Sequence, residues 1–439
     1  MYHIGKKLGG VISGALSCII FLHNPFFLNR MAGGLPRAFY LPVVLLLLYS
    51  AVKHSASGIC ISMILSALFY PLSFLFNCIF VGLYFFWAKF LQRKKIAVII
   101  LIGFITAVSL AAFEKKPGKL IPLEEAKKME EFYKEGRIPV LPMKNPFKEI
   151  SGYFFSPLFN VSWSKNYEIG YQEKNTNIYG IATSLFLFLF CVICGMRTLK
   201  ERKYFFVPLF FSSVVLYLLA RIFFFKMYYP YRYLYPLPFV CVFIVGAGYS
   251  HFLKKFSHKR ILFSIILLLG FILLTGTRIV PYNGFMHFTG EWKKLFIALE
   301  NTPENSIIAG NIYILDNIPL FSKRSVFISD EMSIPFFTDT YKDRKKRLIE
   351  NAKLMYSPTK KKFLELCKKN NIDYVLVYKP DLVRSYATKG IFYPYKPLKD
   401  IAIKAAENAK QYYLANISEY TVFFESKSFF VVDVKKIER

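Results

Sequence analysis

The sequence predicts a polytopic α-helical membrane domain of about nine spans, followed by a small extracytoplasmic α/β domain. Hydrophobic residues make up 54% of the 439 residues and charged residues only 20%, whereas an average soluble domain carries about 25% charged residues. The mean hydropathy is +0.35. After residue 280 the long apolar runs give way to short apolar segments between charged ones. This pattern excludes a disordered chain, a disulfide scaffold and a wholly soluble enzyme.

Each membrane span is predicted from its length and its flanking residues. A helix needs about 20 apolar residues to cross the hydrocarbon core. The runs that pass this test lie near 8–24, 37–52, 57–70, 71–91, 95–113, 177–196, 204–225, 236–253 and 261–280. The third run is short, and Tyr70-Pro71 predicts a tight turn into the fourth.

The orientation of the spans follows from the Lys and Arg residues of the short loops. Lys6, Lys53, Arg93 to Lys95, Arg197 to Lys203 and Lys254 to Arg260 all fall on one side. The positive-inside rule assigns that side to the cytoplasm. We therefore expect a multi-pass protein of the cytoplasmic (inner) membrane, with a cytoplasmic N-terminus and an extracytoplasmic tail.

Two domains follow from this topology, a membrane domain over 1–280 and an α/β domain over 281–439. Within the first, the outer loop 114–176 is long enough to carry structure, and residues 122–135 are predicted to form a helix. The tail alternates strands and helices, which favours a mostly parallel sheet. Its predicted strands are 306–310, 325–329 and 373–378, with a hairpin across 420–424 and 428–434.

The charge distribution indicates contact with anionic lipids. Residues 1–280 hold 32 Lys and Arg against 10 Glu, a net charge of +22, while the tail carries +8. Basic residues at helix ends anchor a topology and contact lipid phosphates. Nucleic acid is not expected as a partner, because no RNA- or DNA-binding motif accompanies the charge.

Cysteine and histidine residues predict no metal centre. Six of the seven Cys lie inside apolar runs, and Cys191-x-x-Cys194 has no matching His or Cys pair. The six His are scattered. A divalent metal stays possible as a cofactor, but the sequence shows no ligand set for it.

Arginines near the outer face are the first candidate site residues. Arg37 leads directly into the second span, and Arg232 lies between two spans in a Tyr-rich turn with Tyr229 and Tyr233. Arg presents a planar, always-charged fork that suits phosphate oxygens. Arg221 lies inside the seventh span, where an unpaired charge is costly, so it either faces the bundle or reaches outward. Interfacial anchoring by Arg and Tyr is the alternative interpretation.

The tail contributes two further candidates, Asp316 and Arg324. They bound a polar segment, Asp316-Asn-Ile-Pro-Leu-Phe-Ser-Lys-Arg324, that follows a predicted strand. We expect these residues on the substrate side of a site, with a structural turn as the alternative.

Several of these motifs together resemble the GT-C superfamily of membrane glycosyltransferases. They are Gly-Gly-Leu-Pro-Arg-Ala-Phe at 33–39, Leu-Phe-Tyr-Pro at 68–71, Tyr-Pro-Tyr-Arg-Tyr at 229–233, and the tail segments 302–310 and 316–325. The chain looks like the bacterial branch that is distantly related to the oligosaccharyltransferase catalytic subunit and to protein O-mannosyltransferases.

This resemblance implies a function and exposes a gap. Such enzymes transfer a sugar from a polyprenyl-phosphate carrier outside the cytoplasm, which implies a carrier-phosphate role for Arg37, Arg221 and Arg232. The family's acidic motif belongs to the first outer loop, yet residues 1–113 contain no Asp or Glu, and the first Asp is Asp316. No catalytic residue is therefore named. We expect a chain that lacks its N-terminal spans, by a start-site error, by truncation or by a split gene that supplies a separate N-terminal fragment. The alternative is a degenerate member that binds a lipid-linked sugar without transferring it.

The leading hypothesis is sugar transfer from a polyprenyl-phosphate carrier to an envelope glycan, lipid or protein. One alternative is a non-catalytic partner of envelope-assembly proteins, which the lack of early carboxylates favours. A lipid-linked sugar transporter or polymerase is the other. Such proteins place charges near mid-membrane or show repeat symmetry, and only Arg221 hints at the first.

Overall fold

The structure is a computed structural model, and it describes most of the chain in separated ranges. The described residues are 1–23, 36–87, 118–133, 136–138, 140–143, 145–159, 200–223, 229–253, 290–382, 412–417 and 419–438, with single positions between them. Two compact units divide the chain. We call residues 1–115 and 144–286 the helical unit, and residues 116–143 and 287–439 the sheet unit.

The α-helices are numbered along the whole chain. They are α1 (Tyr2–Gly9), α2 (Val11–His23), α3 (Tyr40–Val52), α4 (Ala56–Phe69), α5 (Pro71–Trp87), α6 (Leu123–Ala126), α7 (Pro146–Phe159), α8 (Lys203–Phe223), α9 (Leu237–Leu253), α10 (Glu291–Glu300), α11 (Ile312–Leu315), α12 (Ile318–Phe321), α13 (Thr338–Met355), α14 (Lys360–Lys369) and α15 (Val434–Glu438).

Two helical segments among the described residues are long and apolar enough to cross a membrane, Lys203–Phe223 and Pro230–Leu253. Shorter apolar helices lie at Val11–Leu22, Tyr40–Val52, Ala56–Phe69 and Leu72–Phe86. These helices coincide with six of the predicted spans. The predicted spans 95–113, 177–196 and 261–280, with Cys191 and Cys194, lie almost wholly outside the described residues. The number and orientation of the spans stay predictions.

The predicted turn between the third and fourth apolar runs is present. Helix α4 ends at Phe69, Tyr70 takes an extended conformation, and α5 begins at Pro71. Proline disfavours the helical conformation of the residue before it and suits the first helical position. Asn77 of α5 donates from Nδ2 to the Ser62 carbonyl of α4 at 3.3 Å. The turn therefore folds the two helices into a hairpin.

Small residues bring α1, α2 and α9 together. A Cβ atom added to Gly5 would lie 2.7 Å from the Ser17 Oγ, and one added to Gly246 would lie 2.8 Å from the same oxygen. Ser250 of α9 donates from Oγ to the Gly9 carbonyl at 2.6 Å. Close approach of this kind is how helices pack in an apolar solvent. Substitution of these glycines would separate the helices.

The sheet unit contains one five-stranded sheet in the order β2-β1-β3-β5-β4. Its strands are β1 (Ile307–Gly310), β2 (Ser325–Val326), β3 (Tyr374–Tyr378), β4 (Val422–Glu425) and β5 (Phe429–Asp433). Strand β1 pairs in parallel with β2 and β3, while β5 pairs antiparallel with β3 and β4. The sheet is thus half parallel and half antiparallel, because the predicted hairpin joins it along β3.

Apolar side chains cover both faces of this sheet. Val375 and Val377 lie in the cluster that contains Leu348 of α13 and Phe363 of α14. The alternate residue Leu376 lies in the cluster of α10. Successive residues of a strand point to opposite faces, so one strand serves both clusters.

The predicted helix over 122–135 is wrong. One helical turn, α6, is followed by a 3-10 turn at Glu130–Phe132. Glu131 and Phe132 are both buried, and the Glu131 carboxylate is bound by two side chains of α13. These tertiary contacts outweigh the weak helical preference of an exposed Glu/Lys pattern.

Candidate functional site

Arg221 of the helical unit has a carboxylate partner. Its Nη1 atom donates to the Glu149 Oε2 at 3.1 Å and to the Tyr217 hydroxyl at 2.8 Å. The Tyr217 hydroxyl in turn donates to the same Glu149 oxygen. The exposed fractions of the Arg221 and Glu149 side chains are 16% and 22%. Arg221 therefore faces other protein groups, which is the first of the two predicted orientations.

The geometry of this cluster follows from two helices. Tyr217 and Arg221 are four residues apart on α8 and so lie on one face. Glu149 lies in the first turn of α7, which begins at Pro146 within the outer loop 114–176. A buried guanidinium is stable only with a well-placed counterion and satisfied hydrogen bonds. Helix α7 supplies both.

Arg232 lies in the 3-10 turn Pro230–Leu234. Its Nη1 atom donates to the Tyr70 hydroxyl at 2.9 Å, and its guanidinium lies 4.9 Å from the centre of the Tyr229 ring. The Tyr70 ring lies 5.6 Å from that of Tyr40, and Tyr40 lies 6.0 Å from Tyr235. The structure thus places Arg232 in contact with Tyr70 and Tyr229, and the rings of Tyr40 and Tyr235 continue this aromatic group beyond Tyr70.

The remaining candidates of the helical unit are placed less fully. Tyr233 is fully buried. Arg37 belongs to the 3-10 turn Pro36–Phe39, immediately before α3, and its side chain lies outside the described residues. The structure therefore brings Arg232 and Tyr229 into contact, and their roles toward a ligand stay predictions.

Asp316 of the sheet unit follows α11 and accepts a hydrogen bond from the backbone N–H of Glu331 at 2.8 Å. Burial raises the pKa of its carboxyl, and a hydrogen bond from Ser329 opposes that change. Nearby, Arg137 Nη2 lies 2.7 Å from the Asp330 Oδ2. Asp316 thus belongs to a polar cluster, although its substrate-side role stays a prediction.

Arg324 holds the end of α10. Its Nε atom donates to the Thr302 carbonyl at 2.9 Å, and its Nη2 atom donates to the carbonyls of Glu300 and Thr302. The last carbonyls of a helix lack internal partners, and a cation near them is favourable. This structural task accounts for the contacts that Arg324 makes here.

A second polar cluster lies where β1 and β3 end. Asn311 follows β1 and donates from Nδ2 to the Asp381 Oδ2 at 2.6 Å, and Asp381 follows β3. Asp381 is 1% exposed, and burial raises the pKa of its carboxyl to about 6. Strands β2 and β3 flank β1, so the strand order reverses beside these residues.

The sequence left open whether the protein binds a divalent metal, and the described residues show no set of ligands for one. Within them, no group of three or more His, Cys, Asp or Glu side chains is placed to hold a metal ion. No disulfide joins the cysteines in the described part of the chain, and Cys241 and Cys367 are buried.

Sequence reasoning missed Glu149. It lies outside the Glu-rich stretch of the outer loop, and nothing in its spacing marks it. The sequence offered no signal that singles it out, because Glu149 is one of several glutamates in the predicted loop 114–176.

Comparison with solved structures shows a likeness in fold to an oligosaccharyltransferase. The apo oligosaccharyltransferase of Archaeoglobus fulgidus aligns with a TM-score of 0.52 and 10% identity, covering 92% of this chain and 59% of that chain. The same enzyme with Zn and sulfate aligns with a TM-score of 0.50 and 12% identity, covering 92% and 57%. This chain therefore spans less than three fifths of the length of those proteins.

Comparisons by sequence add no relative. No protein-family model matches the chain. No curated protein matches it either. At 10–12% identity the structural likeness concerns the fold alone, and the chain shares the fold of the aligned part of those oligosaccharyltransferase structures.

Proposed function

We propose that this protein transfers a glycan from a polyprenyl-phosphate carrier at the outer face of the cytoplasmic membrane. The observation that carries the proposal is Arg232, held between Tyr229 and Tyr70 in a chain with an oligosaccharyltransferase-like fold. A guanidinium fixed by aromatic rings and a hydroxyl offers a preorganised fork to a phosphate group. Anionic lipids of the membrane are the second proposed partner.

The chemistry gives the arginine a definite task. In glycosyl transfer the bond between the anomeric carbon and the carrier phosphate oxygen breaks, and an acceptor oxygen or nitrogen bonds to that carbon. The carrier phosphate leaves with added negative charge, and the acceptor proton passes to a base. A fixed cation beside the leaving oxygen stabilises that charge most where it develops. We assign this role to Arg232 and leave the base unassigned.

Arg221 has a narrower proposed role, because Glu149 and Tyr217 already bind its guanidinium. Its net charge is largely balanced by Glu149, so we propose that it orients the phosphate site. Glu149 is engaged by two donors and serves as a counterion. Arg37, Tyr233, Asp316 and Arg324 keep their predicted roles as proposals.

A non-catalytic partner in envelope-polysaccharide assembly is the second candidate function. One observation favours it, the absence of Asp and Glu from residues 1–113. Such a protein would bind the same lipid-linked sugar without transferring it. Binding and transfer therefore have to be measured separately.

The test uses the full chain in proteoliposomes that contain polyprenyl-linked glycans extracted from its native membrane. Transfer to any acceptor and binding of polyprenyl phosphate are both measured. Arg232→Ala is expected to weaken carrier binding at least about tenfold, since a charge-assisted hydrogen bond is lost. Arg232→Lys is expected to recover part of it, because Lys keeps the charge without the fork.

Lys53→Ala is the matched control, because Lys53 caps the opposite end of α3 from Tyr40. It should bind and transfer like the wild type. Unchanged carrier binding in Arg232→Ala would contradict the proposal. Carrier binding without transfer, in the presence of every native partner, would favour the non-catalytic candidate.

A further inference from the structure

Tyr40 is the first residue of α3 and is 1% exposed. Its hydroxyl is buried and has no hydrogen-bond partner. A buried hydroxyl costs folding free energy when it is unpaired, and the great majority of buried polar groups have a partner. Tyr40 thus keeps a buried polar atom that contributes no hydrogen bond to the fold.

The surroundings of Tyr40 are those of the Arg232 site. Its ring lies 5.6 Å from that of Tyr70, which accepts a hydrogen bond from Arg232. It also lies within electrostatic range of the hydroxyls of Tyr233, Tyr70 and Tyr235. Tyr70 accepts from Arg232 with its oxygen, so its own O–H proton is available for another acceptor. Two phenolic donors and a guanidinium therefore share one region.

From these contacts we infer that Tyr40 and Tyr70 are ligand-binding residues whose hydroxyls donate to an anionic phosphate oxygen beside Arg232. The inference rests on the proposed function and deepens it by assigning neutral donors to the same site. The guanidinium can only donate and each phenol has a proton to donate, so the three groups suit an anionic phosphate oxygen, which accepts several hydrogen bonds. Phenols supply such donors without adding charge at the end of an apolar helix, where charge is costly.

The test compares Tyr40→Phe and Tyr70→Phe with the full-length wild type in lipid nanodiscs. Three probes are titrated separately, polyprenyl phosphate, phosphatidylglycerol and inorganic phosphate. Each Phe variant is expected to bind polyprenyl phosphate about tenfold more weakly, because it loses one hydrogen bond to a charged group. Without ligand, Tyr40→Phe is expected to melt at a temperature equal to or above that of the wild type, since it removes an unpaired buried hydroxyl.

Tyr49→Phe is the matched control, because Tyr49 belongs to α3 near its other end, where its ring lies beside Lys53. It should leave the affinity unchanged. Wild-type affinity in Tyr40→Phe, together with weakened binding in Arg232→Ala, would overturn the inference and leave the proposed function standing. Wild-type affinity in both variants would overturn the proposed function as well.

The three probes separate the sources of the phosphate. Tighter binding of polyprenyl phosphate than of phosphatidylglycerol, with the Phe variants weakened, supports a carrier site. Equal or tighter binding of phosphatidylglycerol would overturn the assignment to the carrier. Competition by millimolar inorganic phosphate, lost in Tyr40→Phe, would support recognition of the anion itself.

Discussion

In each unit one glutamate of the predicted outer loop 114–176 binds a tyrosine and a cation that are four residues apart on one helix. In the helical unit Glu149 binds Tyr217 and Arg221. In the sheet unit Glu131 binds Tyr341 at 2.9 Å and Lys345 at 2.7 Å. A glutamate, a tyrosine and a basic residue thus recur in the two units.

The difference lies in the cation and its surroundings. The Lys345 side chain is 40% exposed, so it can still reach water if Glu131 is lost. The Arg221 side chain is 16% exposed and belongs to a span-length apolar helix. An arginine cannot give up its charge, whereas an exposed lysine can be solvated. Loss of the glutamate should therefore cost more folding free energy in the helical unit than in the sheet unit.

Glu149→Gln tests the helical half of this comparison and should have the largest effect. It removes the carboxylate that pairs with Arg221. Loss of one partner of a buried pair costs about 3–5 kcal/mol, and the partial exposure of these two side chains places the expected loss at the low end of that range. Cysteine labelling of Cys241, which is buried in the helical unit, should become faster under native conditions, while that of Cys367 should not. Labelling is read peptide by peptide by mass spectrometry in the full chain.

Glu201→Gln is the control, because Glu201 is the other carboxylate among the described residues of this unit, and it is exposed. Equal labelling rates of Cys241 in Glu149→Gln and in the control would contradict the proposed weight of the ion pair.

Asp381 sharpens the comparison, because it is a buried carboxylate with an amide partner in place of a cation. Burial raises its pKa from the ordinary 3.8 to about 6, so the folded state holds a proton that the unfolded state has already released. Its stabilising contribution is present below pH 4 and is lost as the pH rises through 6. The stability of the sheet unit should therefore fall by about 2–3 kcal/mol across that window.

This fall in stability is measured by hydrogen exchange of the β1 and β3 backbone amides between pH 4 and 7. The exchange rates are corrected for the intrinsic rates at each pH. Asp381→Asn should make the fall smaller, and Asp330, whose pKa burial raises to about 7, should account for the remainder. Asp343→Asn, on the exposed face of α13, should leave the fall unchanged. A fall of the same size in Asp381→Asn and in the wild type would contradict the assignment to Asp381.

Glu131→Gln tests the sheet half of the comparison. It keeps the shape and an acceptor for Tyr341 but removes the charge opposite Lys345, so we expect a loss of about 1–2 kcal/mol. Cys367 reacts only when the sheet unit opens, because burial raises the pKa of this thiol to about 12. A less stable sheet unit opens more often, so the labelling of Cys367 should accelerate modestly in Glu131→Gln. The neighbouring exposed residue offers the control Glu130→Gln. An effect larger than that of Glu149→Gln would reverse the comparison.

Helix caps provide the smallest test of the two units. Ser55 accepts from the Gly58 N–H at 3.2 Å at the start of α4, and Thr359 accepts from the Lys362 N–H at 3.3 Å at the start of α14. Replacing either residue by Ala should cost about 0.5–1 kcal/mol. We expect the two units to unfold separately. Ser55→Ala should therefore raise the labelling rate of Cys241, and Thr359→Ala that of Cys367. A change in the labelling rate of the cysteine in the other unit would contradict separate unfolding.

Much of the fold could be predicted because its signals are local. Apolar runs predicted the positions of α3, α4, α5 and α8, and Tyr70-Pro71 predicted the turn between two of them. Strands β1 and β3 lie within one residue of their predicted bounds. The helix over 122–135 failed because the burial of Glu131 depends on residues more than 200 positions away.

For the candidate site, the sequence indicated which residues were candidates but not which residues they contact. Arg221 stood out because a charge interrupts an apolar run, and Arg232 because tyrosines surround it in the sequence. Their partners Glu149 and Tyr70 lie 72 and 162 positions away, and Tyr40 carries no signal beyond its type.

The sequence by itself determined the positions of the apolar helices α3, α4, α5 and α8 and of strands β1 and β3, and it marked which charges need an explanation, because hydrophobic periodicity and proline act over a few residues. Only the tertiary structure decided how those charges are met: Glu149 for Arg221, Tyr70 for Arg232, and an unpaired hydroxyl at Tyr40. The physical reason is that hydrogen bonds and ion pairs depend on distances of about 3 Å between atoms, and chain separation does not encode those distances.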